Sequence, residues 1–123
     1  MLSDCPLVGF VSTTDTARAR QFYVDTLGLS LVEETPYACV LDANGTQLRI
    51  TTVDAVVAAP YTVLGWTVPD VAATVRALIA AGVATLRYEG MEQDWLGVWA
   101  SPSGARVAWF RDPDGNILSV TQL

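Results

Sequence analysis

The chain has 123 residues, 51% of them hydrophobic and 16% charged, which predicts one folded domain with its own core and excludes a disordered or coiled-coil chain. Its net charge is −6, with 13 acidic residues against seven arginines and no lysine. Nucleic acids and anionic membranes are bound by clustered basic residues, and these arginines are scattered, so we expect neither partner.

The absence of histidine removes several kinds of active site. Neither a Ser-His-Asp triad nor a Cys-His pair can be built. Cys5 and Cys39 show no Cys-x-x-Cys pattern, so we expect buried thiols rather than a zinc site. The longest uncharged stretch, residues 55–69, is too short for a membrane-spanning helix, and no export leader is recognisable. We therefore expect a cytoplasmic protein.

The first half of the chain predicts five elements in order. An apolar strand starts at Val8, and a helix follows over residues 15–27, with Asp15 as its N-terminal cap and Gly28 after its end. Two strands are predicted over residues 30–34 and 37–41. The Asn44-Gly45 dipeptide then predicts a hairpin turn into a further strand that ends near residue 51.

The second half repeats this order. Val63 stands 55 positions after Val8 and begins a similar strand, and a helix over residues 70–81 again has an aspartate before it and a glycine after it. Strands are predicted over residues 84–88 and 105–110. Asp114-Gly115, 70 positions after Asn44-Gly45, predicts the last turn and strand. The offset grows because residues 89–104 are an insertion.

Two β-α-β-β-β modules follow from this repeat. They span residues 1–54 and 61–123, with a linker at 55–60, and together form a single α+β domain. Neither module can bury both faces of its sheet alone. We therefore predict that they pair, with the helices outside and the sheets curling round a concave inner face.

Three segments resemble a known family. Asp15 with residues 21–29 resembles the first helix of the vicinal oxygen chelate superfamily, and residues 109–116 resemble its final turn. That superfamily holds glyoxalase I, extradiol dioxygenases, methylmalonyl-CoA epimerase, fosfomycin-resistance enzymes and bleomycin-binding resistance proteins. The pattern over residues 93–110 resembles a bacterial subgroup of glyoxalase-like proteins. The resemblance covers nearly the whole chain and implies the paired-module fold.

The resemblance also implies where metal ligands would stand. In the metal enzymes of the superfamily these positions hold His, Gln or Glu, and here they hold Val8, Arg49, Val63 and Ser119. Valine cannot ligate, and the fixed charge of arginine repels a divalent cation. We therefore expect the metal site to be lost, with no cofactor in its place.

Strand alternation places Arg49 on the inner face, away from the apolar Leu48 and Ile50. Three interpretations remain open for it: an anchor for a carboxylate, phosphate or carbonyl group of a ligand, an ion pair with an inward acidic residue, or a solvated charge at the rim. Phe10 would line the same cavity if the strand register is correct. Glu33 and Glu34 are neighbours on one strand, so they face opposite sides and cannot form a paired acid–base site.

The four tryptophans indicate an aromatic pocket for a flat ligand or core packing. For Trp66 and Trp99 both interpretations stay open, for Trp109 we favour the core, and Trp95 flanks either the pocket mouth or a subunit interface. The predicted ligand-binding residues are Phe10, Gln47, Arg49, Val63, Trp66, Trp99 and Ser119.

The predicted function is metal-independent binding of a small molecule, such as an aromatic metabolite or an antibiotic. The alternative is a metal-free isomerase or lyase in which Arg49 stabilises an oxyanion. A third interpretation is an interaction domain with a vestigial pocket. The resemblance further implies a homodimer.

Overall fold

The computed structural model describes the whole chain, residues 1–123, as two compact units, Met1–Val57 and Ala58–Leu123. Each unit contains one four-stranded sheet and one helical region, so the predicted α+β class is confirmed. No helix in either unit is both long enough and apolar enough to cross a membrane.

The first unit follows the predicted order of elements. Its sheet has the strand order β1-β4-β3-β2, in which β1 and β4 are parallel and the other pairs are antiparallel. The elements are β1 (Val8–Thr13), α1 (Thr16–Arg20), a π-helical segment (Gln21–Thr26), β2 (Ser30–Glu34), β3 (Ala38–Ala43) and β4 (Thr46–Thr52).

The helical region of the first unit begins and ends where its capping residues predict. The Asp15 carboxylate accepts a hydrogen bond from the Arg18 backbone N–H at 3.1 Å, and Gly28 adopts a φ of +82° past the last turn. The π-helical segment carries Phe22 and Tyr23 into the core, where their rings meet edge to face with centroids 5.2 Å apart. Over so short a segment an α-helix and a π-helix bury nearly the same side chains. Sequence periodicity therefore cannot distinguish them and predicts an ordinary α-helix.

The helical region covers one face of the sheet. Buried side chains on that face include Val11, Leu41, Leu48 and Ile50. Burial of an aliphatic or aromatic side chain of this size contributes about 1.5–3 kcal/mol, so this apolar face is the main source of the unit's stability. The alternation predicted for β4 is confirmed, since Leu48 and Ile50 are buried and Gln47, Arg49 and Thr51 are only half-buried.

The second unit repeats the arrangement, with the strand order β5-β8-β7-β6 and a parallel β5–β8 pair. Asp70 caps its helix by accepting a hydrogen bond from the Ala73 backbone N–H at 3.0 Å. The buried residues of this helix, Val71, Val75 and Leu78, are spaced to lie on one side of it. The elements are β5 (Thr62–Thr67), α2 (Val71–Ala80), β6 (Trp99–Ala100), β7 (Arg106–Arg111) and β8 (Ile117–Gln122).

The prediction of a strand over residues 84–88 is wrong. Only Thr85 forms a bridge there, with Phe110, and the chain then leaves the sheet until Trp99 pairs with Val107. The edge chain thus advances 14 residues, from 85 to 99, while β7 advances three, from 107 to 110. The edge strand of this sheet is therefore the two-residue β6, which lies within the insertion, and not the predicted strand before it.

The Asp112–Gly115 turn between β7 and β8 is held by one buried carboxylate. Asp112 accepts hydrogen bonds from the backbone N–H groups of Asp114 and Asn116 and from the Asn116 side chain, at 2.8–2.9 Å. Gly115 adopts a φ of +87°, which favours glycine. The turn fixes the register in which the two strands that it joins, β7 and β8, are paired.

Candidate functional site

Each sheet has a face that its own unit's helix does not cover, and we call it the helix-free face. In the first unit Phe10 on β1 pairs in register with Arg49 on β4, which pairs with Val40 on β3. Residues paired in register share a face, so these three side chains form one row. Phe10 is 67% exposed, which agrees with its predicted place opposite the core. Val8 and Gln47 form the neighbouring pair.

Arg49 is a cation without a partner within this row. It is half-buried, and its side chain makes neither a hydrogen bond nor an ion pair, so the ion pair considered from the sequence does not form. Glu33 continues the row beyond Val40, two strands from Arg49, which at about 4.8 Å per strand is roughly 10 Å away. Glu34 points elsewhere and pairs with Arg20 at 2.8 Å. A guanidinium left free in this way can bind a carboxylate or phosphate through two parallel hydrogen bonds.

The corresponding row of the second unit is different in chemistry. Gly65 on β5 pairs with Ser119 on β8, and Ser119 pairs with Trp109 on β7. Gly65 and Ser119 stand where Phe10 and Arg49 stand in the first unit, which agrees with the offsets of the repeat. Val63 lies at the irregularity between Thr62 and Leu64 and is 42% exposed.

Three aromatic rings meet on this face of the second unit. The Trp99 and Trp109 rings lie 6.2 Å apart between centroids with a 36° tilt, and Tyr88 meets Trp109 edge to face at 5.3 Å. We call Tyr88, Trp99 and Trp109 the aromatic trio. Tilted and edge-to-face contacts leave ring faces available, and ring faces bind flat apolar groups.

Trp109 corrects the sequence-based expectation. The sequence favours a place for Trp109 in the core, but the side chain lies beside Ser119 on the helix-free face and is half-buried. Counting outward from the Asp112–Gly115 turn would have given this register, whereas the unbroken apolar run 107–110 concealed it. Trp66 pairs with Val120, so it lies on the opposite face of β5 from the Gly65–Ser119 pair. Trp95 is 74% exposed at a loop tip, with the Arg76 guanidinium 5.5 Å from its ring.

Tyr88 was missed by sequence reasoning. It belongs to the stretch that was expected to be a strand, and it lies 21 positions from the tryptophan it contacts. Only the path of the insertion brings the two rings together, and no local pattern in the sequence specifies that path.

The side chains present do not fit a divalent metal. Of the positions at which the resemblance places ligands, two are valines, Arg49 is cationic, and Ser119 offers one neutral hydroxyl. Nowhere else do three or more cysteine, aspartate or glutamate residues come together in a way that could hold an ion. The acidic residues of the insertion, Glu89, Glu92 and Asp94, are exposed, and the Asp94 carboxylate accepts hydrogen bonds from the backbone N–H groups of Leu96 and Val98 at 2.9 Å.

Cys39 does not offer an activated thiol. Cys39 is buried, as predicted, and burial raises the pKa of its thiol, with the Glu34 carboxylate raising it further and Arg20 acting in the opposite direction. Cys5 is exposed, contrary to the expectation of two buried thiols, and both are free. A raised pKa keeps Cys39 protonated at neutral pH, which disfavours a nucleophilic role.

Comparison with known proteins gives a family match and several similar structures. The model of the Glyoxalase/Bleomycin resistance protein/Dioxygenase superfamily matches residues 8–120. The chain is similar to a lactoylglutathione lyase from Agrobacterium tumefaciens (TM-score 0.76, 17% identity, 99% of this chain and 96% of that one). It is also similar to a superfamily member from Sphaerobacter thermophilus (TM-score 0.76, 22% identity, 100% of both) and to TioX from Micromonospora (TM-score 0.72, 21% identity, 95% and 97%). At these identities the likeness shows the fold alone. No curated protein matches the sequence.

The contact between Gly65 and Ser119 predicts a coupled pair of substitutions. A Cβ on Gly65 would lie 2.6 Å from the Ser119 Oγ, while the other atoms of Ser119 stay at 3.5 Å or more. We expect Gly65→Ala to lower the free energy of unfolding by about 1 kcal/mol, because the hydroxyl must rotate away. Adding Ser119→Ala should restore most of it, measured by urea unfolding. Equal losses with and without the serine hydroxyl would contradict this.

Proposed function

Because the chain belongs to the Glyoxalase/Bleomycin resistance protein/Dioxygenase superfamily, we propose that it is a metal-independent small-molecule-binding protein of the glyoxalase and bleomycin-resistance type. The aromatic trio is the observation that carries this proposal. The ligand class it favours is a flat aromatic molecule, a metabolite or an antibiotic, that the protein sequesters unchanged. Fold alone selects no function in this superfamily, so the proposal depends on these side chains.

The trio suits binding better than chemistry. Its members supply apolar ring surface, and the Ser119 hydroxyl beside Trp109 supplies one hydrogen bond to a polar edge of a ligand. A hydroxyl without an accompanying base is a poor nucleophile, and the chain has no histidine or lysine to act as one. The residues that support the proposal in the second unit are therefore Trp99, Trp109, Tyr88, Ser119 and Val63.

Arg49 supports recognition of an anionic group. Its guanidinium is free of internal partners, so no protein contact must be broken when a carboxylate or phosphate binds. Phe10 and Gln47, which flank it on β1 and β4, provide an apolar ring and an amide at the same face. The row of the first unit is therefore suited to an anionic group next to an apolar one.

A second candidate function is a metal-free isomerase or lyase, with Arg49 stabilising a developing oxyanion. One observation favours it: the Glu33 carboxylate lies in the same row as Arg49, on the same face. An enzyme would release a chemically changed molecule and a binding protein the same one. Mass spectrometry of the small molecule recovered after incubation therefore separates the two functions.

Removing one ring of the trio should weaken binding of a flat neutral probe. We expect Trp99→Ala to reduce the affinity for 2-naphthamide by about 1–3 kcal/mol, because a stacking surface is lost. Isothermal titration calorimetry measures it, with Trp95→Ala as the matched control at the exposed loop tip. Equal affinities of wild type and Trp99→Ala would remove the trio from the proposal.

Removing the free guanidinium should affect charged ligands selectively. Arg49→Ala is expected to weaken binding of 2-naphthoate by about 1.5–3 kcal/mol, the worth of a charge-assisted hydrogen bond, and to leave the uncharged 2-naphthamide unaffected. Arg18→Ala, the same change at an exposed arginine of α1, serves as the control. A loss near zero for the anion would leave Arg49 a surface residue with no part in binding.

Metal independence and assembly are tested together by native mass spectrometry. The resemblance implies a homodimer, and we infer that it carries no bound metal even after Ni²⁺ or Zn²⁺ is added and the excess removed. The expected species is a dimer with at most an organic adduct, whose mass would identify the ligand class. One metal ion per chain would overturn the metal-independent proposal, and a monomer would overturn the dimer.

A further inference from the structure

The insertion of the second unit is a built structure rather than a free loop. Its hairpin tip, residues 94–97, has every backbone carbonyl held by a side chain. Arg87 donates to the carbonyls of Asp94 and Trp95, and Thr85 donates to that of Leu96. The Gly97 carbonyl accepts from Gln93 at 2.8 Å. Leu96 and Gly97 are buried, and buried carbonyls need such partners. At all four positions the donors belong to the insertion or to residues just before it.

Gln93 makes three side-chain hydrogen bonds to the backbone, one of them to the hairpin tip and two to residues just before the insertion. Its side-chain Nε2 donates to the Leu86 and Gly97 carbonyls, and its Oε1 accepts from the Tyr88 backbone N–H, all at 2.8 Å. Its backbone also forms an antiparallel bridge with Trp99. The half-buried amide therefore uses its acceptor and both donors to join the residues just before the insertion to the hairpin tip within it.

These contacts reach each member of the aromatic trio. Tyr88 is bonded to Gln93 directly, and Trp99 is its bridge partner. Trp109 is linked through Leu86, whose backbone N–H donates to the Trp109 carbonyl at 2.7 Å. All three hydrogen bonds of the Gln93 side chain go to backbone atoms, so they act on the rings through the backbone.

The amide is the only side-chain group of this length that can make all three bonds. Leucine is one methylene shorter and carries no polar atom, so it leaves two carbonyls and one N–H without partners. Asparagine keeps the donors and acceptor but is one methylene shorter, so it cannot span from Leu86 to Gly97. The position thus requires both the chemistry and the length of glutamine.

We propose that Gln93 is a positioning residue that sets the spacing of Tyr88 and Trp99 about Trp109 and so fixes the width of the surface offered to a flat ligand. The inference rests on the proposed function for its ligand and on the hydrogen bonds above for its geometry. Residues 93–110, which resemble a subgroup of glyoxalase-like proteins, thereby gain a physical role. The part of the insertion that they include shapes the aromatic surface.

The experiment uses near-ultraviolet circular dichroism of the full chain without ligand, since the coupled Trp99 and Trp109 rings give a signal that depends on their separation and tilt. Gln93→Leu should change this signal, and Gln21→Leu, the same change at an exposed position of the first unit, should leave it as in wild type. In a Trp99→Phe background Gln93→Leu should produce no further change in the coupled band. Gln93→Asn, a milder variant, keeps the test open if the leucine variant does not fold.

Affinity for 2-naphthamide separates this inference from the proposed function. A roughly threefold or larger loss in Gln93→Leu, together with the changed spectrum, is the expected result. A changed spectrum in a protein whose wild type does not bind the probe supports the positioning role and counts against the proposed ligand. An unchanged spectrum in both Gln93 variants overturns the inference, whatever the wild type binds.

Discussion

In each unit the first strand lies parallel to the last and is hydrogen-bonded to it, and strand alternation then decides which side chains share a face. The pairing of β1 with β4 sets Phe10 against Arg49, and the pairing of β5 with β8 sets Gly65 against Ser119. A shift of one residue in the register of either strand pair would turn the side chains of the helix-free face towards the helix and bring the apolar side chains of the core to the surface. The apolar side chains packed against each helix therefore also determine the chemistry of the opposite face.

The same scaffold carries different chemistry in its two copies. One row centres on an unpaired cation and an exposed phenylalanine, and the other on a small pair, Gly65 and Ser119, beside tryptophan rings. In the metal enzymes that the chain resembles, ligands come from the positions that Val8, Arg49, Val63 and Ser119 hold here. A fixed cation, one hydroxyl and two valines at these positions support the proposed binding function rather than metal chemistry.

Much of the fold could be predicted because its signals are local. Asp15 and Asp70 cap helices, Asn44-Gly45 forms a turn, and the alternation around Arg49 gives its face correctly. The site was less accessible to sequence reasoning. Trp109 lies in an apolar run whose two possible faces look alike, and Tyr88 depends on the path of an insertion held by long-range hydrogen bonds. Contacts of this kind are set by tertiary packing, which neither periodicity nor propensity encodes.

All four tryptophans of the chain fall in the second unit. Intrinsic tryptophan emission therefore reports the unfolding of Ala58–Leu123. The aromatic residues of Met1–Val57 are phenylalanine and tyrosine, so that unit contributes no tryptophan emission of its own. Backbone dichroism in the far ultraviolet follows both units at once. Coincident melting curves from the two signals would mark a single cooperative transition, whereas separated curves would assign an order of unfolding to the two halves of the repeat.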